Sequence, residues 1–214
     1  MAEKISNKVD RLIQAMNMGF PQNEWVGILE SILDGFSRVA KQQFWLAPDT
    51  AATNNGATQK DLNGITAGFS MVAPLSPDYP RNIQITGVIS NGAITELVCV
   101  ITGTDIFGAV ATETITIDDD ETVIGSVVFA TLTSIAVTGT FSTGGGASDT
   151  LDAGYGVKMG LLGNVESDCM VKMNMDEADV GADDVTIDDT NNSITFETAP
   201  NASRDYIAWY VTKA

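Results

Sequence analysis

The chain of 214 residues reads as a mainly β protein: a β-sandwich or open barrel of about ten short strands, preceded by an N-terminal helical segment. Three observations predict this. From residue 65 to 214, short apolar and Thr-rich runs recur between turns of Gly, Asp and Asn. Residues 1–46 space their apolar side chains at the helical period instead. Residues 47–64, "APDTAATNNGATQKDLNG", follow neither period and read as a polar connector.

Ile5, Val9, Leu12, Ile13 and Met16 share one face of a first helix, and "GFP" at 19–21 ends it. A second helix starts at Asn23 and carries Trp25, Ile28, Leu29, Ile32, Leu33 and Phe36 on its apolar side. Val39, Ala40 and Phe44 extend it towards Trp45. Such a stripe needs cover, either from the β domain behind it or from another subunit. Trp25, Phe44 and Trp45 are the expected partner interface, being large apolar residues in the segment that the sandwich explains least.

In the β region, "NIQITGVIS" places Ile83, Ile85 and Ile89 on one face. Asn91-Gly92 is a strong hairpin signal, with "AITELVCVITG" as the return strand. That strand is apolar on both faces around Leu97 to Ile101, so a central position is expected. "GTDIFG" is a turn in which Asp105 suits a bond to its own backbone. "ATETITI" then alternates, with Thr112, Thr114 and Thr116 opposite Glu113, Ile115 and Ile117. "DDDE" at 118–121 reverses the chain, and "SVVFATLTSIAVTG" supplies one or two strands. "YGVKMGLL", "CMVKMNM", "DVTID", "SITFET" and "DYIAWYV" complete the set. In the last, Tyr206, Ala208 and Tyr210 alternate with Ile207, Trp209 and Val211, and a final core strand is expected.

Composition narrows the function. With 28 acidic and 11 basic residues the net charge is −17, which repels phosphate backbones and anionic membranes, so neither nucleic acid nor membrane is an expected partner. Histidine is absent, removing the commonest general base and zinc ligand. Cys99 and Cys169 read as small apolar residues in strands, although one bridge between them is conceivable. No signal peptide is visible in "MAEKISNKVDRLIQAM", and the uncharged stretch 122–148 has the Thr, Ser and Gly content of strands and a loop.

Motifs of catalysis are missing. Neither a G-x-S-x-G nor a Ser/His or Cys/His pair can be formed, and "STGGGAS" lacks the Lys of a phosphate loop. The carboxylates Asp118 to Glu121, and Asp183, Asp184, Asp188 and Asp189, could bind calcium but do not fit the EF-hand spacing. They read as solvated turns, and no metal or cofactor is expected. Paired acids acting on a sugar would need a converging cleft, of which the sequence gives no sign.

"VCVITGTDIFGAVATETITI", "FATLTSIAVTGT", "SDTLDAGYGVKMGLLG" and "TFETAPNASRDYIAWYV" together resemble a group of tailed-bacteriophage virion proteins. The resemblance runs from about Ile83 to Val211 and rests on the order of the segments. It implies a non-enzymatic capsid decoration (cement) protein, held on the outside of the phage head, with the major capsid protein and its own copies as partners. A homotrimer would match the local three-fold positions of a shell. Localisation in the virion, after assembly in host cytoplasm, follows from the same resemblance. The alternative is a head-fibre or tail module recognising host surface carbohydrate, for which aromatic residues exposed on loops would be the sign.

Overall fold

The structure, a computed structural model, describes residues 38–71, 77–89, 94–141, 145–166, 169–176, 178–179 and 185–213. Every regular element among them is a strand. They run β1 (Arg38–Trp45), β2 (Ala52–Asp61), β3 (Phe69–Met71), β4 (Arg81–Val88), β5 (Ile94–Thr104), β6 (Val110–Ile117) and β7 (Glu121–Phe129). There follow β8 (Thr131–Phe141), β9 (Thr150–Gly160), β10 (Met170–Met175), β11 (Ala178–Asp179), β12 (Val185–Asp188), β13 (Ser193–Phe196) and β14 (Tyr206–Lys213).

Three sheets result. One has the order β3-β8-β5-β6, the second β12-β13-β9-β4-β7 with β2 also paired to β9, and the third β1-β14-β10-β11. Alternation drives the first: Leu97, Cys99 and Ile101 of β5 point inward with Ile115 and Ile117 of β6 and Ile135 and Val137 of β8. These meet Ile83 and Ile85 of β4 and Leu151, Ala153 and Tyr155 of β9, forming one core between two sheets. The central position expected for β5 is borne out, since it pairs with both β6 and β8. A second core joins the third sheet to the other end of β9: Trp45, Tyr206, Ala208 and Tyr210 pack with Met159, Leu161, Ile194 and Phe196. β9 therefore lines both cores. Cys99 lies in the first, Cys169 in the second, and neither is in a disulfide bond.

Three expectations are corrected. Residues 38–45 are strand β1, paired along its whole length with β14 from Arg38↔Lys213 to Trp45↔Tyr206. The spacing of Val39, Ala40 and Phe44 imitated a helix because the strand buries Gln43 beside Trp45, so its inward side is not wholly apolar. The rest of the expected helical segment, residues 1–37, lies outside the described residues. The connector 47–64 contains β2, a polar strand held by its pairing with β9 rather than by its own propensity. Finally, β4 and β5 do not form a hairpin: β4 pairs with β7 and β9, and β5 lies in the other sheet. Asn91-Gly92 itself lies outside the described residues.

β2 crosses β9 unusually closely. Its register slips between Ala52 and Ala57, and Asn55 Oδ1 accepts the Tyr155 N–H at 2.7 Å. A Cβ on Gly154 would overlap the Ala52 carbonyl oxygen, and one on Gly56 would reach the Ala153 carbonyl oxygen at 2.9 Å. The crossing exists because both positions lack side chains.

Candidate interaction surface

The three expected interface residues separate. Trp45 is fully buried and meets Phe196 edge-on with ring centroids 5.4 Å apart, so it is a core residue and not a contact for a partner. Phe44, its neighbour on β1, points the opposite way and is 48% exposed. It stands opposite the half-buried Ile207 of β14 on the outer face of the third sheet. Trp25 lies outside the described residues.

Several polar residues in the resembling segments serve the fold itself. Asp105 Oδ1 accepts the N–H groups of Phe107 and Ala109 at 2.8 and 2.9 Å, fixing the β5–β6 turn around Gly108 at φ 81°. Asp149 is fully buried and accepts the Gly146 N–H at 2.8 Å. Asn201 Oδ1 accepts from the N–H groups of Ser203 and Arg204, and Asp205 Oδ1 accepts the Ala47 N–H at 2.8 Å. Glu113 reaches from β6 across the seam between the sheets, where Oε1 accepts the N–H groups of Ser126 and Val127 on β7 at 2.5 and 3.3 Å. A carboxylate thus bridges two strands that belong to different sheets. Glu113→Ala is expected to lower unfolding free energy by about 2–3 kcal/mol in urea titration, because a charge-assisted pair of bonds is lost. Glu113→Gln should recover most of it.

The sequence reading missed three buried polar residues. Arg81 is fully buried; its Nη1 donates to the Asp49 carbonyl at 2.7 Å and pairs with Asp78 Oδ1 at 3.3 Å. Burial pulls its pKa down while Asp78 opposes that shift. Asn82 Nδ2 donates to the Gly125 carbonyl on β7, and its Oδ1 accepts the Lys158 N–H on β9, knitting three strands where both ladders of β4 slip. Gln43 Oε1 accepts the Tyr210 hydroxyl at 2.6 Å and the Leu162 N–H at 3.0 Å. Burial pushes the Tyr210 phenol up to about 12, keeping it a donor. A lone polar residue at an alternating core position, such as Gln43, was the available signal.

The acidic turns are also used locally. Asp118 N–H donates to Glu121 Oε1 at 3.1 Å, and Asp120 N–H to Asp119 Oδ1 at 2.8 Å. Asp183 and Asp184 lie outside the described residues. Among the described residues, no group of three or more His, Cys, Asp or Glu is placed to hold a metal ion, and no helix is long and apolar enough to cross a membrane. Asp188 accepts from Asn191 N–H and Nδ2 at 3.1 and 2.9 Å and from Lys158 Nζ at 3.1 Å. Partial burial pushes this carboxyl up, but the bonds from Asn191 and the Lys158 charge outweigh it and hold the pKa below its ordinary value. Its stabilising contribution is therefore present above the unfolded carboxyl pKa of about 4 and is lost as pH falls through the folded value. Thermal melts of Asp188→Asn should lie below wild type at pH 7 and converge on it in acid.

The outer face of the β3-β8-β5-β6 sheet has a different chemistry. Thr112, Thr114 and Thr116 of β6 stand beside Thr102, Val100 and Val98 of β5. The next column, on β8, is Ser134, Ala136 and Thr138. Thr104 and Thr131 share a hydroxyl bond at 2.7 Å at the end of this surface. Apart from the exposed Glu96 at the start of β5, opposite Thr140, the side chains are short and uncharged, so the relief is low. At the neighbouring turn Phe107 is 57% exposed, and Val110 beside it 78%.

No family model and no curated protein matches the chain. A solved structure of PirA matches 54% of this chain and 93% of its own at 14% identity, with a TM-score of 0.23. A likeness at that score carries no argument about fold or function.

Proposed function

We propose that this chain is a structural part of a tailed-phage virion, a decoration protein bound to the outside of the head. Its partners are the major capsid protein and further copies of itself, in a homotrimer at the three-fold positions of the shell. The observation that carries this reading is the use of the polar residues in the resembling segments: Asp105, Glu113, Asp149, Asn201 and Asp205 direct side-chain oxygens at backbone N–H groups of their own chain. Side chains committed to holding turns and seams are those of a durable building part, and catalysis would need them free. Purified protein added to heads that lack it, then imaged by cryo-electron microscopy, tests the reading. Density repeated at symmetry positions outside the shell is the expected result; bare shells would overturn it.

One observation favours the second reading, a head-fibre or tail module for host carbohydrate. Phe107 is an exposed aromatic ring on a turn, the placement a sugar-stacking residue needs. Binding on a glycan array that disappears with Phe107→Ala would favour it over the decoration role.

A further inference from the structure

An asparagine followed by glycine loses its side-chain amide more readily than other asparagines, because no side chain hinders the approach of the next backbone nitrogen. The chain has three such pairs: Asn55-Gly56, Asn63-Gly64 and Asn91-Gly92. The last lies outside the described residues, and the fold treats the other two in opposite ways. We propose that Asn63 is a site of spontaneous modification, converted in the folded protein to aspartate and isoaspartate, while Asn55 keeps its amide.

Asn55 is locked. Its Oδ1 accepts the Tyr155 N–H at 2.7 Å, which fixes the amide carbon against β9. Gly56 is buried, and a Cβ there would stand 2.9 Å from the Ala153 carbonyl oxygen. Closing a ring at this pair requires β2 to part from β9. Asn63 and Gly64 are both exposed, and nothing lies within 4 Å of where a Cβ on Gly64 would stand. One brake remains: the Gly64 N–H donates to the Gly145 carbonyl at 3.2 Å. Only that single long bond has to open before the nitrogen can react, and a local opening costs less than separating two strands.

The chemistry needs water alone. The Gly64 nitrogen attacks Cγ of Asn63, its proton passes to the amide nitrogen, and ammonia leaves as the ring closes to a succinimide. Water then opens the ring. Attack at Cγ gives aspartate, and attack at the main-chain carbonyl gives isoaspartate, with the backbone running through Cβ and Cγ. Either product adds one negative charge to the net −17.

The site matters to the fold. Asp61 Oδ1 accepts the Asn63 N–H at 2.8 Å, so the new carboxylate arises beside an existing one. Gly145 N–H donates to the Leu62 carbonyl at 3.1 Å, and with the Gly64 bond this ties the segment after β2 to the loop before β9. Leu62 is fully buried in the first core. Isoaspartate lengthens the main chain between Leu62 and Gly64 by one carbon, which pulls these two bonds out of register. The tie therefore loosens as the protein ages, whatever the protein's role.

Peptide mapping tests this. The full chain is held at about pH 8 and about 37 °C, with and without urea, and digested with trypsin at intervals. Cleavage after Lys60 and Arg81 releases 61–81, in which Asn63 is the one asparagine; cleavage after Lys41 and Lys60 releases 42–60, which carries Asn55. In the native protein 61–81 should gain about 1 Da at least about tenfold faster than 42–60, and the two rates should converge in urea. Asn63→Gln, which would need a larger ring, should abolish the gain. A native 61–81 that keeps its mass, or a native 42–60 that converts as fast, would overturn the proposal.

Discussion

Gly154→Ala is expected to be the most damaging single methyl that can be added to this protein. The new Cβ would coincide with the Ala52 carbonyl oxygen and press on the Thr53 carbonyl carbon at 2.6 Å, both backbone atoms with no rotamer to relieve the clash. β9 cannot retreat, because its other edge is paired with β4 through Gln84↔Gly154 and Ile85↔Ala153. The strand that yields is β2, and with it goes the Asn55 bond to Tyr155. A loss of about 4 kcal/mol or more is expected, a large fraction of the ~5–15 kcal/mol typical of a domain. Urea titration measures it. Limited proteolysis would show cleavage beginning in 52–61, whereas a variant indistinguishable from wild type would mean that β2 does not cross there.

Trp45→Ala comes second, and it distinguishes a core residue from a partner contact. Removing a fully buried indole packed against Phe196 should cost about 3–5 kcal/mol and lower the melting temperature by roughly 10 °C. Trp45→Phe should cost far less, since the indole N–H has no acceptor to lose. Phe44→Ala, one residue away on the exposed side of the strand, should change the melting temperature little. Equal effects at 44 and 45 would contradict the alternation of β1.

These two sites show where the fold was legible in the sequence. β6 and β8 could be read because apolar and Thr or Ser positions largely alternate in them, and β5 because a run apolar on both faces marks a central strand. The Asp105 turn could be read because an Asx bond is local. β1 could not, since Gln43 interrupts the inward side and is made tolerable by Tyr210, a residue 167 positions away. Nor could β2, whose buried positions include Gly56 and Ala57 and whose support is the close passage over Gly154. Asn91-Gly92 suggested that β4 and β5 pair, but pairing is decided by which sheet each strand can complete. For the same reason, Glu113 could be seen as a residue in an alternating strand but not as the bridge to β7. Long-range partners, absent from any window of sequence, decided each of these cases.

The pairing of β1 with β14 also has a consequence during synthesis. Phe44 and its partner Ile207 are 163 positions apart (207 − 44), so β1 leaves the ribosome roughly 10–30 s before the strand that completes its sheet. Over that interval the first core, built largely from β3 to β9, has all of those strands available and can form, while Trp45 waits for β13 and β14. The nascent chain thus passes through a stage with one finished half and one sticky indole. That stage is the point at which a chaperone, or a neighbouring chain on the same messenger, would meet it.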